Sequence, residues 1–128
     1  MKDGITKEEI IRISKTDPSK CMYCGKCSAS CPSYDEMEYP PHRFVHMFNE
    51  GDIRPLLNCT GIYKCLSCYA CADRCPRGVQ PAKLIEAVRV IAVRRKDGNR
   101  IKAGALSDAA DEEMPSQALS AAFRKYTK

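Results

Sequence analysis

Cys21-Met22-Tyr23-Cys24-Gly25-Lys26-Cys27-Ser28-Ala29-Ser30-Cys31-Pro32 places four cysteines within eleven residues, and Cys65-Leu66-Ser67-Cys68-Tyr69-Ala70-Cys71-Ala72-Asp73-Arg74-Cys75-Pro76 repeats the spacing 44 residues later. Each run offers three thiols at three-residue steps, then a fourth four residues on, followed by proline. Three readings compete. Disulfides fail on crowding and on the reduced compartment argued below. Zinc sites of four cysteines are common, but they usually use two pairs separated by a long loop. The spacing here is the C-x2-C-x2-C-x3-C-P pattern of bacterial four-iron clusters.

A cubane needs a thiolate at each of four tetrahedrally placed irons. Three cysteines on one tight coil wrap three corners, and the last cysteine of each run is directed to the other cluster, as in two-cluster ferredoxins. The expected ligand sets are therefore Cys21, Cys24, Cys27 and Cys75 for one [4Fe-4S] cluster, and Cys65, Cys68, Cys71 and Cys31 for the other. Gly25 is expected to let the backbone approach inorganic sulfide, and Pro32 and Pro76 to end each coil. Four cysteines per cluster leave no open iron, which suits a wire better than a catalyst.

The remaining composition fits a small metal-clamped chain. It has 128 residues, three Phe and no Trp, and its mean hydropathy is negative. The core such residues build is modest, and a metal that holds the chain together compensates for it. No apolar run approaches membrane-spanning length, and Val88 to Val93 is broken by Arg89. Met1-Lys-Asp-Gly shows no signal-peptide apolar region, so the expected location is cytoplasmic, where thiols stay reduced. The formal charge of +5 counts each cysteine as neutral; two oxidised clusters with their thiolates, at roughly −2 each, bring it to about +1. Arg94-Arg95-Lys96 and Arg124-Lys125 are isolated groups, and a nucleic-acid-binding stripe is not indicated.

No segment alternates, so the expected fold is all-α with irregular cluster-binding loops. Thr6 and Glu9 form a capping-box pattern before an N-terminal helix with Ile10, Ile11 and Ile13 on its apolar side. Pro41 to Gly51 reads as a helix with Phe44, Val45 and Phe48 as its stripe. A short helix is expected within 52–58, starting late because of Pro55. Pro81 opens the clearest helix, with Leu84, Ile85, Val88, Ile91 and Ala92 at helical spacing, and Arg94, Arg95 and Lys96 before a stop at Gly98. Residues 99–113 read as a linker, and Leu119, Ala122, Phe123 and Tyr126 mark a last helix. The expected division is a two-cluster domain over 1–98 and a linker with a partner-docking helix over 99–128. The internal repeat is expected to stop at the cysteine runs.

Cys21-Met-Tyr-Cys-Gly-Lys-Cys27, Tyr39-Pro-Pro-His-Arg43 and Lys64-Cys-Leu-Ser-Cys-Tyr-Ala-Cys-Ala-Asp-Arg-Cys-Pro-Arg-Gly-Val79 closely resemble the C-type subunit of heterodisulfide reductase, over roughly residues 5 to 97; Met114 to Tyr126 resembles the tail of bacterial members. The resemblance implies an α-helical ferredoxin fold, akin to the C-terminal domain of the succinate dehydrogenase iron–sulfur subunit. It implies electron transfer from an A-type subunit with flavin and clusters to a cysteine-rich catalytic B-type subunit, in anaerobic metabolism, with membrane contact only through a partner. Two departures stand out. Ile62-Tyr63 occupies a place where members often carry Trp, and the chain lacks the additional domains of the glycerol-3-phosphate and succinate dehydrogenase relatives. Alternatives are an iron–sulfur subunit of a different anaerobic complex, a self-contained thiol/disulfide enzyme using Cys59, and a nucleic-acid-binding metal module. No dinucleotide fingerprint, nucleophile elbow or zinc-protease motif is present, so no catalytic site of the chain's own is expected.

Several other residues have a bland reading beside a functional one. Cys59 reads as a small buried apolar residue before it reads as a redox thiol. His42 and His46, one helical turn apart, lack a third metal ligand and read as a solvated or docking face. Phe44 and Phe48 read as core. Tyr23, Leu66 and Tyr69 are candidates to shield the clusters. Arg77 divides between partner docking and a surface ion pair.

Overall fold

A computed structural model describes residues 4–94 and 102–124. Among these the chain is helical and irregular with no strand, which meets the all-α expectation. None of the described helices is long and apolar enough to cross a membrane. The chain divides into two compact units, Met1–Ala92 and Val93–Lys128.

In the first unit, α1 (Lys7–Ser14) is capped by the Thr6 hydroxyl, which accepts from the Glu9 N–H. Only Ile10 of its isoleucines is buried; Ile11 and Ile13 are 37% and 38% exposed, so the apolar side is narrower than expected. A 3-10 turn, Pro18–Lys20, leads into the first run, which contains α2 (Lys26–Ala29). After a second 3-10 turn, Tyr34–Glu36, comes α3 (Pro41–Glu50), stopped by Gly51 in the left-handed region at φ 95°. α4 (Ile53–Asn58) starts early, not late: Pro55 lies in its first turn, where the N–H it lacks has no intrahelical acceptor anyway. α5 (Gly61–Lys64) leads into the second run, which contains α6 (Ala70–Arg74). α7 (Pro81–Arg94) ends the series. The expected Arg95, Lys96 and Gly98 at its end lie outside the described residues.

One core holds this unit together. Phe44, Val45 and Phe48 of α3 and Leu84, Ile85, Val88 and Ile91 of α7 pack with Ile10, Leu56, Ile62 and Val79. Both phenylalanines are core residues, as their reading requires. The repeat extends further than the cysteines. At an offset of 40 residues, Pro41, Phe44, Val45 and Phe48 match Pro81, Leu84, Ile85 and Val88, and all eight are buried. The first half has four more residues between its last cysteine and its helix than the second, and the turn at Tyr34–Glu36 lies in that longer connector.

In the second unit, Ala103–Ala109 within the stretch read as a linker forms α8, which packs on α9 (Ser116–Phe123). Leu119 and Phe123 of α9 are half-buried, Ala122 is exposed, and Tyr126 lies outside the described residues.

Candidate metal centre

The two runs follow the same path. The backbone is left-handed at Tyr23 and Gly25 (φ 56° and 77°) in the first, and at Ser67 and Tyr69 (φ 55° and 62°) in the second. These reversals turn the coil so that successive thiols face inward. Each run then enters its short helix, which carries the third cysteine into the interior. The exposures correspond across the repeat: Cys24 and Cys68 are exposed, Cys27 and Cys71 buried, and Cys21, Cys31, Cys65 and Cys75 between.

The eight thiols divide between two cavities. Cys21, Cys24, Cys27 and Cys75 line one of about 350 Å³, counted out to its mouth, with Tyr23, His42 and Arg77 also on its wall. Cys31, Cys65, Cys68 and Cys71 line another of about 330 Å³, with Met37, Leu66 and Tyr69. The last cysteine of each run thus faces the cavity of the other. The third cysteines, Cys27 and Cys71, pack together with Ala82 of α7, and α2 packs on α6, so the sites are neighbours. Among the described residues no three His, Cys, Asp or Glu side chains converge as a single metal ion requires. The thiols surround a space, an arrangement that fits a polynuclear group bound by sulfur.

Burial pushes the Cys27 and Cys31 thiols above the ordinary range, and the Cys71 thiol up to about 11. A buried thiolate is costly without a compensating cation, so metal binding here displaces protons. Backbone donors at sulfur include the Tyr23 N–H to Cys21 Sγ and the Val79 N–H to Cys75 Sγ, each 3.4 Å, in the first cavity, and the Ser33 and Ala82 N–H groups act likewise on Cys31 and Cys71 in the second.

Arg77 binds backbone. Its Nε donates to the Lys20 carbonyl at 3.2 Å, tying the segment after Cys75 to the residue before Cys21. The two histidines separate. His42 Nδ1 lies 2.6 Å from the Ser28 hydroxyl, next to Cys27, and Ser28 also accepts the His42 N–H at 3.0 Å. His46 is exposed, 3.2 Å from Glu50, and meets the Tyr23 ring edge-on at 4.9 Å. Cys59 is 4% exposed and donates to the Leu56 carbonyl at 3.1 Å inside the core. Tyr23, Leu66 and Tyr69 all line the cavities, yet each keeps a large exposed part.

Sequence reasoning missed the residues that brace the runs. Asn49 Nδ2 donates to the Pro18 carbonyl at 2.9 Å and to the Tyr23 hydroxyl at 3.4 Å. Arg89 donates to the carbonyls of Ile62 and Cys65 at 3.2 and 3.3 Å and to the Ser67 hydroxyl at 3.1 Å. The Tyr69 hydroxyl donates to Glu86 at 2.8 Å. Their only signal in the sequence was position: both helices match, with the register shifted by four residues relative to the cysteines.

Residues 17–79 match the family model of the 4Fe-4S dicluster domain. The chain is 35% identical over 83 residues to the C-type subunit of the ferredoxin:CoB-CoM heterodisulfide reductase of Methanosarcina acetivorans, covering 65% of this chain and 32% of that protein. It is 35% identical over 82 residues to the C2-type subunit of the H(2)/formate:CoB-CoM heterodisulfide,ferredoxin reductase of Methanococcus maripaludis, covering 64% of this chain and 43% of the relative. With the C-type subunit of the ferredoxin:CoB-CoM heterodisulfide reductase of Methanosarcina mazei it shares 31% identity over 91 residues, 69% of this chain and 56% of the relative. The matched part thus spans between about a third and just over half of these relatives. Two cavities walled by four cysteines each, in an all-α frame, agree with that match: residues 17–79 form a 4Fe-4S dicluster domain, and the chain is similar to the C-type iron–sulfur subunits of heterodisulfide reductases.

Proposed function

We propose that the chain is an electron-transfer subunit of a heterodisulfide reductase-like complex, holding one [4Fe-4S] cluster on Cys21, Cys24, Cys27 and Cys75 and a second on Cys65, Cys68, Cys71 and Cys31. The observation that carries this reading is the division of eight thiols into two adjoining cavities, each taking three from one run and one from the other. Such clusters, when bound, supply reversible one-electron storage. The chain's own residues fix the thiols in place, and the shared wall of Cys27, Cys71 and Ala82 keeps the sites close. Arg77 holds the crossing segment of Cys75 against the start of the first run. Buried Cys59, bonded to a carbonyl, gives no support to a thiol enzyme acting from this position.

The partners in this reading are an A-type subunit that carries flavin and a B-type subunit rich in cysteine, with the 99–128 segment as a docking element. The exposed cysteines Cys24 and Cys68 mark the faces such partners approach. The test is anaerobic isolation of the full chain. We expect about eight irons and eight sulfides, and two low-temperature paramagnetic resonance signals after dithionite. Cys31→Ser should alter the same signal as Cys68→Ser, and Cys75→Ser the same signal as Cys24→Ser. Bound zinc, or Cys31→Ser acting on the Cys24 signal, would overturn the assignment.

A further inference from the structure

The helix that follows each run returns a side chain to that run from the same position. Asn49 and Arg89 are the next matched pair after Phe48 and Val88 in the 40-residue register. Asn49 donates to Pro18 and Arg89 to Ile62, and each of those carbonyls lies three residues before the first cysteine of its run. The device is the same and the charge differs. Asn49 is neutral, and its remaining amide contact is the Tyr23 hydroxyl. Arg89 is a permanent cation whose fork reaches on to the Cys65 carbonyl and the Ser67 hydroxyl, inside the loop between two cysteines of the second cavity.

We propose that Arg89 is a positioning residue of the second site, and that its charge raises the reduction potential of the cluster held by Cys31, Cys65, Cys68 and Cys71. This rests on the ligand reading above. Reduction adds negative charge to the cluster, and a half-buried cation bonded to the surrounding loop favours the more negative state. The fork also fixes Cys65 and the left-handed backbone at Ser67, φ 55°, so it holds the loop as well as the field. Arg89 sets a shift at its own site, not the order of the two potentials, because the N–H groups directed at Cys21 and Cys75 act in the same sense on the first cluster.

The experiment uses the anaerobically purified full chain with Arg89→Asn, which copies the first site, and Arg89→Lys, which keeps the charge without the fork. Potentials are read by dithionite titration followed by paramagnetic resonance, and iron release by transfer to a chelator. Arg89→Asn should lower the potential of one cluster alone, the one whose signal Cys68→Ser alters, and speed its iron release roughly tenfold. Arg89→Lys should keep the potential near that of the parent and still release iron faster. Unchanged potentials in Arg89→Asn, or equal shifts of both clusters, would overturn the proposal. Should Arg89→Asn fail to hold iron, Arg89→Lys decides: faster release from the second cluster alone supports the proposal, and a parental release rate sinks it. A parent chain without eight irons would instead remove the ligand reading itself, so the two failures are distinct.

Discussion

The two cysteine runs trace one backbone path, but different chemistry holds each of them. The first is braced by α3 through uncharged contacts: the Ser28 hydroxyl on His42, the Tyr23 ring against His46, and the Asn49 amide on Pro18. The second is braced by α7 through ionic ones: Glu86 accepts from Tyr69, and Arg89 reaches three groups around Cys65. Both left-handed turns recur at the same places, with Gly25 at one and Tyr69 at the other. What the repeat preserves is the placement of thiols and the anchoring of the carbonyl before them. The side chain that does the anchoring is free to vary, and its charge is then available to make the two sites unlike.

The largest test of this comparison lies beneath both braces. α3 and α7 share one core, so a core deletion should damage the two sites together, whichever half it is made in. Phe48→Ala should cost about 3–5 kcal/mol and Leu84→Ala about 2–5 kcal/mol. Denaturant unfolding of the anaerobic holoprotein, followed both by helical signal and by each cluster's resonance, should show both signals lost in one transition. A Phe48→Ala chain that loses only the first cluster would show the halves to be separate folding units.

Much of this arrangement was legible in the sequence, and the remainder was hidden for identifiable reasons. The cysteine spacing gave the thiol-lined sites, and the helix stripes gave Phe44, Phe48, Leu84 and Val88 as core, because both signals are local and periodic. Ile11 and Ile13 misled, since three neighbouring isoleucines cannot all face one side of a two-turn helix. Pro55 misled because proline is excluded from helix interiors and not from first turns. The helical half of the repeat was missed because its register shifts from 44 to 40 residues across a longer connector. Arg89 read only as an interruption of an apolar run, and Ser28 was not singled out. Their partners lie 22 or more residues and 14 residues away respectively, distances at which a sequence pattern carries no pairing information.

A smaller test uses the matched left-handed positions. A Cβ added at Gly25 meets no protein atom within 4 Å, so within the protein itself Gly25→Ala should cost only the backbone penalty of the left-handed region, about 1–2 kcal/mol, and any further cost comes from the group that the first cavity holds. Tyr69 already bears that penalty at φ 62° and has its hydroxyl bonded to Glu86. Thermal unfolding of the holoprotein measures the difference. A much larger loss on Gly25→Ala, with iron missing from the first site alone, would show that the first cluster sits against the glycine itself and that the two turns are not equivalent.

The smallest expected effect comes from the carboxylates at the entrances. Asp17 accepts from the Ser19 hydroxyl and from its N–H at 3.2 Å in the turn before Cys21. Glu38 accepts from the Thr60 hydroxyl and from its N–H at 2.7 Å, beside the helix before Cys65. The serine hydroxyl holds Asp17, and the threonine hydroxyl holds Glu38, below the ordinary carboxylate values of 3.8 and 4.5. A lowered value in the folded chain means that the stabilisation is complete above the ordinary value and is lost as pH falls through the lowered one. Asp17→Asn and Glu38→Gln should each remove part of the acid sensitivity. The part removed by Glu38→Gln should be the larger, because that contact closes a loop across 22 residues while the Asp17 contact spans two. Cluster bleaching, followed from about pH 6 downward, measures both. Equal profiles for the parent and Glu38→Gln would mean that the second run is held by Arg89 and the core without help from its entrance.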